Sequence, residues 1–307
     1  MLYSIGVDLG GTNLRAAAFD QAGRLLKKVS GSTPVEAGPE AVITDMVRSA
    51  EGLRAEFGAA ELAGIGVGVP GNIEMATGRV LAWNNVPSFN GYPTRDVLSE
   101  RLSTTVILEN DANCAALGEH WMGAGRGVED LVMLALGTGI GGGIILRGEI
   151  LRGYIGMAAE LGHITVVPNG NPCGCGNRGC LEKHASATAI AAMARNVGLG
   201  EVTSERVAEL AAGGDRRAQD IFQSAGEALG IGVAALINIF NAPLYLLGGG
   251  VSAAWDQFAP AMLAEIERRS LTYRLTRAST RVERATLGGD GGLYGAASLA
   301  LRSSHAS

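Results

Sequence analysis

A run of strand, Gly/Thr turn, strand, tight turn and strand occurs twice in this chain, and the repeat constrains its fold more than any other feature. In the first copy Tyr3–Leu9 is apolar, Gly10-Gly11-Thr12-Asn13 turns, Leu14–Phe19 returns, and Gln21-Ala22-Gly23 turns into Arg24–Val29. In the second, Leu131–Leu136 is apolar, Gly137-Thr138-Gly139 turns, Gly141–Leu146 returns, and Gly148 leads into Ile150-Leu151. Short apolar runs punctuated by glycine read as strands joined by hairpin turns. The copies are separated on the scale of half a chain, so this is a duplicated unit and not a solenoid period. At 307 residues the length prior is also about two domains.

Between the copies, Pro39 at a first helical position opens a pattern that runs to Phe57. Leu62–Val69 reads as a buried strand ending at Pro70-Gly71, followed by a loop rich in Asn and Pro from Asn72 to Pro93. A helix over Thr94–Leu102 and a strand over Thr105–Leu108 come next, and Asn110-Asp111 caps a helix through Met122. After the second copy, helical patterns dominate from Ala185 to Asn241. A strand at Leu244–Leu247, a Gly248-Gly249-Gly250 turn, more helix, a strand near Arg281–Ala285 and a helix from Gly291 complete the chain. This alternation predicts an α/β fold.

The composition narrows the partners. A net charge of −5 offers no basic face for nucleic acid or anionic lipid, so a small polar substrate is the default. The start, Met1 to Val7, reaches Asp8 at once and carries no export signal. No apolar run reaches the ~18 residues of a membrane helix; the richest, Gly230 to Phe240, is closed off by Asn238 and Asn241. A reducing, cytoplasmic setting without membrane contact is the expectation.

Three cysteines and a histidine fall inside eighteen residues: His163, Cys173, Cys175 and Cys180. Cys₃His is a closed structural set for zinc, which favours four tetrahedral S/N ligands. Glycines at 174, 176 and 179 would allow the positive-φ turns of a loop wrapped around a metal. A disulfide would leave an odd thiol and require an oxidising compartment. Cys114, far away in an apolar helical pattern, reads as a buried small hydrophobe.

Two Gly/Thr turns suggest two backbone clamps on phosphate, because glycine lets amides approach an anion and threonine adds a hydroxyl donor. Either turn alone reads equally as a plain hairpin. Asp8 ends a buried strand, where an unpaired carboxylate is costly; Mg²⁺, held through water, would compensate it. Two G-x-G-x-x-G matches, Gly66/Gly68/Gly71 and Gly137/Gly139/Gly142, lack the helix that a dinucleotide fingerprint opens at its third glycine. Asn110-Asp111 sits at a strand-to-helix junction. There it is either a simple cap or, in a kinase, a proton acceptor with an orienting amide. Glu160 and Glu182 flank the metal donors and suit sugar hydroxyls, unless they are two solvated loop carboxylates. The second nitrogen of His163 would also reach a hydroxyl.

Together these motifs resemble the ROK family of sugar kinases and repressors, within the actin/hexokinase/Hsp70-like ATPase superfamily, over nearly the whole chain. Val7-Asp8-Leu-Gly10-Gly11-Thr12 and Leu136-Gly137-Thr138-Gly139-Ile-Gly141-Gly142-Gly143 look like its two phosphate motifs. Glu109-Asn110-Asp111-Ala-Asn113 matches the segment with the catalytic aspartate, Glu160-Leu-Gly-His163 the sugar motif, and Cys173–Glu182 the zinc signature. Leu246-Leu-Gly248-Gly249-Gly250-Val resembles the adenosine turn, and Gly288-Gly289-Asp290-Gly-Gly-Leu the closing motif.

The resemblance implies two RNase-H-like lobes, mixed sheets flanked by helices with a cleft between them. Residues 1–112 plus 290–307 would form the smaller lobe and 113–289 the larger. It further implies an ATP-dependent hexose kinase acting on the 6-hydroxyl of glucose, with Asp111 as general base. Asn110, Glu160, His163 and Glu182 would hold the sugar, with Asn85 and a contact near Gly71. Asp8 would help place Mg²⁺, the two Gly/Thr turns would take phosphate, and Gly248–Gly250 the adenosine. Family members commonly form dimers. The metal would be a clip for the sugar site, so a metal-free Cys175→Ser protein should show a raised sugar KM with nucleotide affinity little changed. N-acetylmannosamine, N-acetylglucosamine, fructose and allose stay open as sugars, and polyphosphate as donor. A sugar-sensing repressor would carry a winged-helix domain before Asp8; a non-catalytic sugar binder would not need Asp8, Asp111 and both turns.

Overall fold

The computed structural model describes residues 1–83 and 86–304. They form two compact units: Met1–Gly127 with Glu149–Ala158 and the segment from Gly289, and Val128–Gly148 with Ala159–Gly288.

In the first unit β1 (Tyr3–Leu9), β2 (Asn13–Asp20) and β3 (Leu25–Ser32) make an antiparallel meander. Helix α1 (Pro39–Phe57) leads to β4 (Leu62–Val69), parallel to β1. A hairpin of β5 (Asn72–Glu74) and β6 (Arg79–Ala82), then α2 (Thr94–Leu102), β7 (Val106–Asn110) and α3 (Asp111–Met122) follow. The sheet order is β3-β2-β1-β4-β7, with β7 parallel to β4.

Alternation along β1 assigns its two faces. Tyr3, Ile5, Val7 and Leu9 bury in one cluster with Val42, Ile43 and Met46 of α1 and Leu98 and Leu102 of α2. The opposite face carries glycine. A Cβ on Gly6 would lie 2.2 Å from the Leu293 carbonyl oxygen, and one on Gly66 1.8 Å from that of Ala296. The C-terminal helix Gly291–Ser304 therefore rests directly on the strand backbone. Gly66, the first glycine of a nominal dinucleotide fingerprint, serves this close packing. The same helix packs on α3, where a Cβ on Gly295 would meet the Cys114 carbonyl oxygen at 1.7 Å. That contact carries the first unit past residue 112 to Gly127.

The described residues of Asn72–Pro93 are more ordered than the Asn and Pro content of that stretch predicts. Ile73 and Val80 of the hairpin, with Trp83, Val86 and Phe89, join the main core of this unit. Strands of 3 and 4 residues are too short for periodicity to reveal.

In the second unit β8 (Leu131–Leu136) and β9 (Ile140–Leu146) are antiparallel, and the chain leaves through β10 (Glu149–Ile150). Helices α4 (Glu182–Ala185), α5 (Ala187–Asn196), α6 (Ser204–Ala212) and α7 (Arg216–Phe240) precede β11 (Leu244–Gly248). Next come α8 (Trp255–Arg269), α9 (Leu271–Thr276) and β12 (Arg281–Arg284); Gly291–Ser304 is α10. The order β10-β9-β8-β11-β12 reproduces that of the first sheet, with β8, β11 and β12 parallel. The duplication is thus a duplication of sheet topology. Helix α7 is long and apolar enough to cross a membrane, with a mean hydropathy of 1.3, which the sequence reading underrated. Two thirds of that window (67%) is buried, and the helix packs on α6 and α8 as a core element.

Candidate functional site

Parallel β1, β4 and β7 place their C-terminal ends along one edge, where ligand groups collect in α/β sheets. Asp8, Gly68 and Glu109 stand side by side there in register. Asp8 is only 7% exposed, yet it is not unpaired. Arg15, its partner across the β1–β2 ladder, donates a hydrogen bond to it. Arg15 also lies 3.7 Å from Asp290, which accepts two 2.9 Å bonds from Lys28. Arg15 is thus a charge partner of Asp8 within the protein itself. Burial pushes the Asp8 carboxyl above its usual range, Arg15 pulls it back, and Asp290 adds a smaller upward push. Arg15 was legible in principle, since a turn over residues 10–13 pairs 9 with 14 and 8 with 15.

The turn itself is held by its own hairpin. Gly10 N–H donates to Asn13 O at 2.8 Å, and the Thr33 hydroxyl donates to Gly10 O at 2.9 Å. Among the described residues no hydrogen bond engages the Gly11 and Thr12 amides or the Thr12 hydroxyl, and both residues are exposed. These are the donors an anion would use.

Asn110 is a working cap. Its Oδ1 accepts the Ala112 and Asn113 amides at 2.9 and 3.2 Å, and its Nδ2 donates to Gly71 O at 3.1 Å. Gly71 is constrained in turn: its φ is +89°, and a Cβ would lie 2.2 Å from Ala82 O. Asp111 opens α3 half-buried, with Oδ1 accepting the Ala112 amide at 2.9 Å. Beneath it Glu109, 1% exposed, accepts from Arg152 Nε at 2.8 Å and from Asn113 Nδ2 at 3.0 Å. Cys114 is fully buried as expected, and its thiol is pushed well up, first by burial, then by the charges of Glu109, Asp8 and Asp111. Gly68, beside Asp8 in register, ties these residues together: a Cβ on it would lie 3.1 Å from Cys114 Sγ and 3.7 Å from the Asp111 Cα. Asn85 lies outside the described residues.

In the second unit Gly137-Thr138-Gly139 leaves β8, and the Gly248–Gly250 bend leaves its parallel neighbour β11. The two meet: at Gly249, with φ +81°, a Cβ would lie 2.4 Å from Leu136 O. Glu182, expected to face a sugar or solvent, is half-buried and turned toward the Gly137–Gly139 turn. Its Oε2 accepts the Ile140 amide at 3.1 Å, and its Oε1 lies 3.3 Å from Lys183 Nζ.

His163, Cys173, Cys175 and Cys180 present ligand atoms that all lie within 4.8 Å of one another. Tetrahedral zinc, with bonds of about 2.3 Å to sulfur and about 2.1 Å to nitrogen, separates two sulfurs by about 3.8 Å and sulfur from nitrogen by about 3.6 Å. The Cys175 and Cys180 sulfurs are 3.7 Å apart, and Cys173 Sγ is 3.6 Å from His163 Nδ1. All four cysteines of the chain are free, and a disulfide would need about 2.05 Å. The donors thus fit a tetrahedral metal, with Nδ1 as the imidazole ligand. His163 Nε2 is left 3.9 Å from Glu160 Oε2. Gly176 and Gly179 take the positive φ the loop needs, at 90° and 76°; Gly174 does not. Burial pushes the Cys180 thiol up to about 12, whereas backbone donation from Asn177 lowers that of Cys175.

Comparison with known proteins follows this geometry. The ROK family profile matches residues 4–303. Glucokinase of Thermotoga maritima is 39% identical, with 97% of each chain covered. The ROK hexokinase of Thermus thermophilus superposes with a TM-score of 0.86 at 36% identity, covering 100% of both chains. A ROK family glucokinase from Streptomyces griseus, solved with glucose and AMPPNP, gives 0.81 at 33% identity over 98% of this chain and 99% of its own.

Proposed function

The chain belongs to the ROK family and is an ATP-dependent sugar kinase; on that premise we propose that it phosphorylates the 6-hydroxyl of glucose, with Asp111 as general base. The observation that carries this reading is the placement of Asp111. It opens α3 where three parallel strands end, steadied by the Asn110 cap and Gly71, against Gly68, the register neighbour of Asp8. A carboxylate there accepts the hydroxyl proton as the new P–O bond forms and the bond to the ADP oxygen breaks. Most of the acceleration comes from positioning and charge neutralisation.

Roles follow for the other residues. Glu160, His163 and Glu182 grip sugar hydroxyls, and Asn110, Gly71 and Asn85 belong to the same proposed set. The Gly10–Thr12 and Gly137–Gly139 turns take phosphate oxygens, and Gly248–Gly250 the nucleoside. Asp8, paired with a single arginine, is the kind of carboxylate to which Mg²⁺ binds while keeping waters; when bound, the ion would neutralise phosphate charge. The Cys₃His cluster would hold Zn²⁺ and brace His163. Glucose is chosen because two glucokinases match this chain at 38–39% identity, whereas N-acetyl-D-glucosamine kinases match over a similar span at 31–33%.

Asp111→Asn should lower kcat by about 10³ or more while the glucose Kd, measured by calorimetry, stays within about threefold. An unchanged kcat would remove Asp111 from the mechanism. A coupled ADP-release assay over glucose, N-acetylmannosamine, N-acetylglucosamine, fructose and allose tests the sugar. A higher kcat/KM on any sugar but glucose rejects that choice.

A further inference from the structure

We propose that residues 182–188, which directly follow the last metal donor, hold the second Gly/Thr turn in its nucleotide-binding shape, with Glu182 and Thr188 as positioning residues. The inference rests on reading Gly137–Gly139 as a nucleotide turn. Three bonds carry it. Glu182 Oε2 accepts the Ile140 amide at 3.1 Å, the Ala187 amide donates to Gly137 O at 2.9 Å, and the Thr188 hydroxyl donates to Thr138 O at 2.7 Å. They bracket the turn from both sides. Among the described residues they leave the Thr138 and Gly139 amides and the Thr138 hydroxyl without a hydrogen bond.

Such a turn needs outside support. Two glycines carry much conformational freedom, and an anion site works only if its donors are already aligned. Gly139 serves the support as well as the ligand, since a Cβ there would lie 2.3 Å from Glu182 Oε2. The supporting segment is itself well anchored. Leu181 N–H donates to Ile164 O at 2.9 Å, Cys180 pairs with Thr165 in an isolated bridge, and Ser186 caps α5 through the Ala189 amide at 3.2 Å. The loop assigned to the sugar is therefore continuous with the support of the nucleotide turn. Disturbing the metal donors should then reach the nucleotide, contrary to the expectation from sequence for Cys175→Ser.

The test is calorimetric binding of Mg·ADP to the full-length protein without sugar. Thr188→Val and Glu182→Ala each remove one bond to the turn and should raise the Mg·ADP Kd about three- to tenfold. Glu182→Gln, whose amide oxygen can still accept from Ile140, should restore most of the affinity. Thr138→Val reports on the turn itself. If it weakens Mg·ADP while Thr188→Val and Glu182→Ala do not, the support role is overturned. If it too has no effect, the nucleotide reading of the turn falls and takes this inference with it. Thr188→Val changes one exposed hydroxyl, so the comparison survives even if Glu182→Ala fails to fold.

Discussion

At the end of β1 the last row before the turn but one reads Asp8 against Arg15; at the end of β8 the same row reads Ala135 against Gly141. Strand order, strand direction and the Gly/Thr turn agree between the units, but the means of holding the turn do not. The first unit surrounds its turn with charge: Asp8, Arg15, Asp290 and Lys28, with Thr33 clasping Gly10. The second keeps that row neutral and braces the turn from a loop tied to four metal donors. A duplicated backbone thus fixes where a ligand edge lies, while the side chains added to each copy decide which chemistry it carries.

The largest expected break in this symmetry is the loss of about 10³ in kcat predicted for Asp111→Asn, because the proposed base sits on one copy only. Metal removal should come next and act on the second unit. Chelation or Cys175→Ser should lower the unfolding midpoint and raise both the sugar KM and the Mg·ADP Kd. Hydrogen exchange should speed up in residues 159–188 while β1, β4 and β7 keep their protection; an even loss across both units would refute this. Cys180 is held as a thiol by a pKa near 12, so metal uptake must displace its proton. Apparent metal affinity should therefore rise about tenfold per pH unit for each proton displaced, and a pH-independent affinity would exclude Cys180 as a ligand.

A third test exploits the glycine face of the first sheet, which β8 (Leu-Val-Met-Leu-Ala-Leu) lacks. Gly66→Ala forces a Cβ into the Ala296 carbonyl and should cost about 1–3 kcal/mol in denaturant unfolding. An unchanged midpoint would mean that α10 does not rest on the strand.

The smallest effect concerns the charged row. Asp8 has a folded pKa above its unfolded one, so its contribution to stability is most favourable below the unfolded value near 3.8 and declines as pH rises through the folded value. Arg15→Gln removes the cation that limits this decline. It should cost about 1–2 kcal/mol at pH 7 and less at pH 4, and Asp8→Asn in the same protein should recover most of the loss. Equal destabilisation at both pH values would show that Arg15 acts through packing alone.

Much of the frame was legible along the chain because its determinants are local. Pro39 starts α1, Thr94–Leu102 is α2, and Asn110 caps α3, each from residues within one helical turn. The Cys₃His set was visible for the same reason, since all four donors lie within one short segment. The hairpin inside Asn72–Pro93 was missed because its strands are 3 and 4 residues long, too short to show a period. The bond from Ile140 to Glu182 could not be read, because the two residues are 42 apart in sequence.

The residues themselves settled what local sterics and spacing can settle: two copies of one strand pattern, the caps, and a soft-ligand cluster with glycines at 176 and 179 to let it close. Tertiary structure alone decided which charge answers which. Arg15 balances Asp8, Lys28 reaches Asp290 across 262 residues of sequence, Nδ1 of His163 faces the sulfurs, and Glu182 supports a glycine turn. A hydrogen bond or ion pair is made only where strand register and helix docking bring two atoms within about 3 Å. Neither register nor docking is a property of any one segment.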